Sequence, residues 1–153
     1  MLTPPPRARQ ILIHGLLMVM TGLLWGVAIP HTPFPRLALS AHIQFLTSGI
    51  IYSLMSILLL TLPHRVGPRS TVIMLISVYL TWLMAISEAF NSFWGTKQIL
   101  PIVAAQAGAT GGAPWQETIE TLAHIIAAVG LLASWGFLVV GFVRRSPDAD
   151  AKS

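Results

Sequence analysis

His14, His42, Glu88, Asn91, Glu120 and His124 interrupt long apolar runs of this chain, with Glu117 at the edge of the last run. A charged side chain at the middle of a bilayer costs roughly 2.5–3.5 kcal/mol on insertion scales, so such residues either pair or perform chemistry. Imidazole can ligate iron or pass a proton; a carboxylate can hold a proton or orient an imidazole. Cysteine is absent, which removes disulfides, thiolate-bound zinc or iron–sulfur centres, covalent c-type haem and a thiol nucleophile. A di-iron bundle needs Glu-x-x-His pairs on two helices, whereas Glu120 and His124 are four apart and no second pair exists. No P-loop, H-E-x-x-H, G-x-S-x-G or strand-associated G-x-G-x-x-G is present. A His-ligated haem asks least of the protein: one neutral imidazole and an apolar slot.

The elements that must position these groups follow from composition. Of 153 residues, 54% are hydrophobic and 9% charged, against roughly 25% charged in a soluble domain. Lipid is therefore the solvent for most of the chain, and each crossing needs about 20 residues. Apolar runs predict four spans, about 11–29, 37–62, 71–94 and 116–143. Pro30, Pro33 and Pro35 stop the first, Pro63 the second and Gly95 the third, and Ser70 is the expected N-cap of the third. The expected fold is all-α, an integral membrane four-helix bundle formed by residues 1–145, with a disordered tail at 146–153. Gly22 and Gly26 form a G-x-x-x-G pair suited to close helix packing, within one chain or between copies.

Four spans put both termini and the 62–70 loop on one side. That side holds Arg7, Arg9, Arg65, Arg69, Arg144, Arg145 and Lys152, leaving Arg36 and Lys97 for the other. The positive-inside rule then predicts both termini in the cytoplasm and a multi-pass protein of the inner membrane. The first run is longer than a signal-peptide core and no A-x-A site follows it, so it is expected to stay. The basic residues are scattered singly between apolar runs, which argues against a nucleic-acid partner.

At about 1.5 Å of rise per residue, His42 lies ~8 Å inside Leu37, Glu88 ~9 Å inside Trp94, and Glu120 and His124 ~6 and ~12 Å inside Gln116. All belong to the outer half, where three helices can bring them to one level. Each also has a packing reading: His42 and His124 as interhelical hydrogen-bond partners, Glu88 as the partner of one of them. His14 stands apart in the inner half. Tyr79 and Trp82 are candidates for lining a pocket, and tryptophans such as Trp94 and Trp115 suit an interfacial belt.

Ile13-His14-Gly15-Leu16-Leu17-Met18, Ala41-His42 with Gly49, the stretch from Trp82 to Phe93-Trp94-Gly95-Thr96, Pro101-Ile102 and Trp115-Gln116-Glu117 together resemble the hydroxylaminobenzene mutase family. Styrene oxide isomerase resembles it more distantly. The resemblance covers most of residues 10–143 and implies a small membrane isomerase working without net redox change on an apolar aromatic hydroxylamine or aryl epoxide. In the styrene oxide isomerase branch it also implies a trimer carrying haem b, with an axial His on the second helix that corresponds to His42. His14, in the family's H-G-x-L-M-like feature, is then a cofactor contact that orients a haem propionate, or else a residue that orients the helix pair, and Ser48, Tyr79 and Glu88 are the catalytic candidates. The pattern has Asn where this chain has Ser48, and the mutases usually have Gly where it has Phe45; both departures bear on the substrate. A ferric haem iron with one open face is a Lewis acid that weakens a C–O or N–O bond, and a dry pocket favours rearrangement over hydrolysis.

Other classes fit the same residues. A haem- or quinone-binding electron-transfer subunit would use His42 and His124 as paired axial ligands. A small proton-coupled transporter would use Glu88 as its carrier carboxylate. A chain that keeps the family fold with a decayed site is a further alternative, motivated by Ser48 and Phe45.

Overall fold

Proline opens each helix after the first, because its fixed φ suits the first helical turn and its missing N–H would have no partner there anyway. The computed structural model describes residues 6–144; the expected tail at 146–153 lies outside the described residues. It contains α1 (Pro6–Ala28), a 3-10 turn (Ile29–His31), α2 (Pro35–Thr61), α3 (Pro68–Trp94), α4 (Pro101–Gln106) and α5 (Pro114–Val143), with no strand among the described residues. Four of these helices are long and apolar enough to cross a membrane, at Arg7–His31, Pro35–Thr61, Pro68–Trp94 and Pro114–Val143. The chain is an all-α, multi-pass membrane protein. Helix α3 starts at Pro68 with Gly67 as N-cap, so Ser70 lies inside its first turn rather than capping it. Gly95 ends α3 in the left-handed conformation at φ 66°, where a side chain would be strained.

In lipid the hydrophobic effect does not hold helices together, so close backbone approach and hydrogen bonds must. Helices α1 and α2 meet through Gly15 and Gly49. A Cβ on Gly49 would stand 2.6 Å from the Gly15 carbonyl oxygen, and one on Gly15 2.6 Å from Ser53 Oγ. Gly22 and Gly26 continue this seam, so the G-x-x-x-G pair faces α2 of the same chain, against Phe45, Leu46 and His42. Trp25 Nε1 donates to the Ala38 carbonyl at 3.1 Å.

Helices α2 and α3 are joined at Tyr52, whose hydroxyl shares hydrogen bonds with Ser77 Oγ (2.7 Å) and Thr81 Oγ1 (2.8 Å). Around it Met18, Met55, Leu59, Met74, Val78 and Leu138 form the buried core. Helix α5 packs along α3, with Gly130 against Ser77. Its other face carries exposed Val129, Leu132 and Val139, as the lipid side of a span requires. Helix α4 rests on α2.

Candidate active site

His42 sits on the α1–α2 seam because Gly26 leaves room for it: a Cβ there would stand 3.0 Å from the ring. Its Nδ1 lies 2.7 Å from the Gly22 carbonyl oxygen. A carbonyl oxygen only accepts, so Nδ1 carries the hydrogen and Nε2 of the neutral ring keeps its lone pair. Nε2 has no partner among the described residues, and the ring is half-buried. An imidazole oriented at one nitrogen and free at the other is the arrangement in which His ligates a metal.

One turn further along α2, Phe45 forms the floor of an apolar groove of about 280 Å³, lined also by Thr21 and Trp25 of α1 and Ile86, Ala89, Phe90 and Phe93 of α3. A dry cavity of about 150 Å³ is enough for a benzene ring. The groove therefore suits one aromatic ring with a short substituent. Phe45 is held edge-on by Trp82, ring centroids 5.8 Å apart, so Trp82 braces the groove floor.

The other sequence candidates are distributed differently. Ser48 is buried and accepts a hydrogen bond from Gln44 Nε2 at 2.9 Å. Six residues along a helix amount to about 120° of rotation, so Ser48 and His42 face different sides of α2. Tyr79 is half-exposed and stands edge-on to His14, ring centroids 5.0 Å apart. This His14–Tyr79 pair joins α1 to α3 away from His42.

Glu88, Glu120 and His124 do come together, on the seam between α3 and α5. His124 Nε2 is 3.8 Å from Glu88 Oε2, and Nδ1 is 3.6 Å from Glu120 Oε1. His124 Nδ1 also lies 2.9 Å from the Glu120 carbonyl oxygen. Both carboxyl groups are buried, and Glu88 Oε2, both Glu120 oxygens and Asn91 Nδ2 have no hydrogen-bond partner. Two carboxyls and an imidazole at these distances can hold and exchange a proton. The expected meeting of three helices is thus a meeting of two: His42 lies on the α1–α2 seam and His124 on the α3–α5 seam, so the two rings do not face one another within a chain. Glu88 and the groove likewise occupy opposite sides of α3, since Ile86, Phe90 and Phe93 line the groove while Glu88 turns to α5. Among the described residues no three His, Asp or Glu side chains converge as a metal site; a haem iron asks the protein only for axial ligands.

Glu117 proves to be a loop anchor. Its carboxylate accepts from the backbone N–H of Lys97 (3.0 and 3.2 Å), Gln98 (3.0 Å) and Gly112 (3.0 Å). This ties the segment between α3 and α5 to the start of α5. Sequence spacing, which put Glu117 and Glu120 on one face, carried no signal for backbone donors arriving from a loop. Glu117→Ala leaves three part-buried N–H groups and the pocket of a buried carboxylate without their partner. It is expected to destabilise the protein by about 2–4 kcal/mol, read as a lower urea midpoint of tryptophan fluorescence in detergent; an unchanged midpoint contradicts the anchor role.

A four-span helical protein with an imidazole on the α1–α2 seam, an apolar aromatic groove along the same helices and a buried carboxyl–imidazole cluster on the other side of α3 is the class that fold and site define. The chain belongs to the styrene oxide isomerase family, whose sequence model matches residues 7–143. It is similar to hydroxylaminobenzene mutase HabB of Ectopseudomonas oleovorans, 30% identical over 154 residues covering 97% of this chain and 92% of that protein. It is also similar to hydroxylaminobenzene mutase HabA of the same organism, 24% identical over 133 residues covering 85% and 94%. No solved structure matches. Membership places the chain among intramolecular isomerases that work in a membrane.

Proposed function

We propose that this chain is a haem-dependent membrane isomerase that rearranges an apolar aryl hydroxylamine or aryl epoxide without net redox change. The observation that carries the reading is His42: Nδ1 bound to the Gly22 carbonyl, Nε2 free at the half-buried surface of the α1–α2 seam. The donor set fits a haem b, which His42 would hold through Nε2. Haem b, when bound, supplies a Lewis-acidic iron with an open coordination position. A groove of about 280 Å³ accommodates a substrate ring and not a tetrapyrrole. A haem held by His42 would therefore need lipid or a second copy of the chain beside it, in keeping with a homo-oligomer, a trimer in the styrene oxide isomerase branch.

The chain's own residues orient and dry the reaction. Phe45, Phe90, Phe93 and Trp25 hold an aromatic ring by stacking and edge contacts. Their apolar surface keeps water from trapping a developing cation, so rearrangement wins over hydrolysis. Ser48 supplies a hydroxyl in place of an amide and, buried and facing away from His42, acts by positioning Gln44 through their hydrogen bond. His14, with Tyr79, would either orient a haem propionate or tie α1 to α3. Glu88 stands beside His124, an arrangement able to pass a proton on the side of α3 away from the groove. Both termini lie on the cytoplasmic side of the inner membrane, and substrate enters laterally from the bilayer.

The test is a product assay on detergent-purified protein with phenylhydroxylamine and styrene oxide. At least one is expected to give a product of identical mass without added reductant or oxidant. A reduced, oxidised or hydrated product, or none from either substrate, overturns the proposal.

A further inference from the structure

We infer that the basic end of the α3–α5 seam is a binding site for the headgroup of an anionic phospholipid. A groove of about 610 Å³ opens there, lined by Arg65, Gly67 and Ser70 on one wall and by Ala133, Gly136, Phe137, Val140 and Arg144 on the other. Its volume falls within the range of about 300–1,000 Å³ typical of ligand sites. Two guanidinium groups flank the mouth from different elements, one on the loop before α3 and one at the end of α5.

The loop is held in place. The backbone N–H of Arg65 donates to the Gly141 carbonyl at 2.9 Å, and Val66 packs so closely on Gly141 that no side chain fits there. Arg65 is thus presented to the groove by a fixed backbone. Neither the Arg65 nor the Arg144 side chain forms a hydrogen bond or ion pair among the described residues, where the only ion pairs are those of His124. The carboxylates among the described residues, Glu88, Glu117 and Glu120, all lie in the other half of the bundle. The first turn of α3 adds to this charge, because Gly67 provides no side-chain cap and the N–H groups of Arg69 and Ser70 stay open to an anion.

The other wall is apolar. Phe137 and Val140 line it, and Gly136 leaves it open, since a Cβ there would meet nothing within 4 Å. Guanidinium groups and free amides above an apolar slot match a phosphodiester above an acyl chain, and basic pockets between membrane helices bind such headgroups. A soluble anion would leave the apolar wall unused, so the occupant is a lipid.

Native mass spectrometry of the full chain in detergent tests this, with dioleoyl phosphatidylglycerol, phosphatidylcholine and inorganic phosphate as probes. Wild type is expected to retain phosphatidylglycerol over phosphatidylcholine. Arg65→Gln with Arg144→Gln is expected to weaken that retention ~10–30-fold, while Arg9→Gln, at the same end but outside the groove, changes it little. Gly136→Leu keeps both arginines and fills the slot, and it too is expected to reduce retention. Equal retention of the two lipids, equal effects of Arg9 and the groove arginines, or displacement by millimolar phosphate overturns the proposal. So does a chain ending at Arg145 that binds the lipid far more tightly than the full chain, because Asp148 and Asp150 would then be the groove's own occupants.

Discussion

Exchanging His42 for alanine is expected to lower isomerase turnover by at least about two orders of magnitude, since even removing a residue that only orients a metal ligand costs 10–100-fold. The substitution removes the ring whose Nδ1 donates to the Gly22 carbonyl at 2.7 Å. That carbonyl already accepts within its own helix, so the fold should survive, and an unchanged far-ultraviolet spectrum would show this. Two further variants separate ligation from packing. His42→Gln keeps a polar side chain on the seam but has no imidazole nitrogen, and it is expected to remain inactive. Adding imidazole to His42→Ala, where Gly26 leaves space beside the vacated ring, is expected to restore part of the turnover. Full activity in His42→Gln would assign the residue to packing alone.

Replacing Gly49 by valine is expected to have the largest effect on stability. A Cβ at that position would lie 2.6 Å from the Gly15 carbonyl oxygen, 2.7 Å from Val19 Cγ2 and 2.8 Å from Val19 N. Two of these neighbours are backbone atoms of α1, which cannot rotate away, so the helices must separate. The loss should reach about 3 kcal/mol or more, the upper range for overpacking. It should appear as poor recovery of folded protein from membranes and a lower unfolding midpoint in detergent. Gly136→Ala is the matched control, because nothing lies within 4 Å of its Cβ position. Equal stability of the two variants would contradict the close approach of α1 and α2.

Much of this architecture is legible in the sequence, because lipid demands long uninterrupted apolar helices and the chain has four of them. Proline was the residue type whose position was read from only one side: Pro35 marks the end of the first span in sequence, yet in the structure it opens α2. Pro68 likewise starts α3 ahead of Ser70. Helix α4, six residues in a stretch rich in Gly and Ala, is too short for periodicity to show. Depth along the helices correctly brought Glu88, Glu120 and His124 to one level. The face each helix turns inward is a different matter, since a span surrounded by apolar residues on all sides has little amphipathic pattern to reveal it. For that reason the separation of His42 from His124, and of Glu88 from the aromatic groove, became visible only in the packed structure. The backbone donors that reach Glu117 from residues 97, 98 and 112 are a tertiary feature with no local sequence mark.

The fold also explains how a small chain can separate its tasks. The α1–α2 seam is backbone-tight and carries His42, the neighbouring groove is apolar, and the α3–α5 seam holds Glu88, Glu120 and His124 away from it. In the proposed rearrangement that division would keep the acidic groups apart from the reacting ring.

The most direct test of the account is the visible absorption spectrum of the protein purified from membranes, recorded beside that of His42→Ala. Wild type should show a Soret band that tracks isomerase activity through every purification step, and the variant should lose both. Isomerase activity in a wild-type preparation with no Soret band, or an unaltered band in His42→Ala, would contradict ligation by His42.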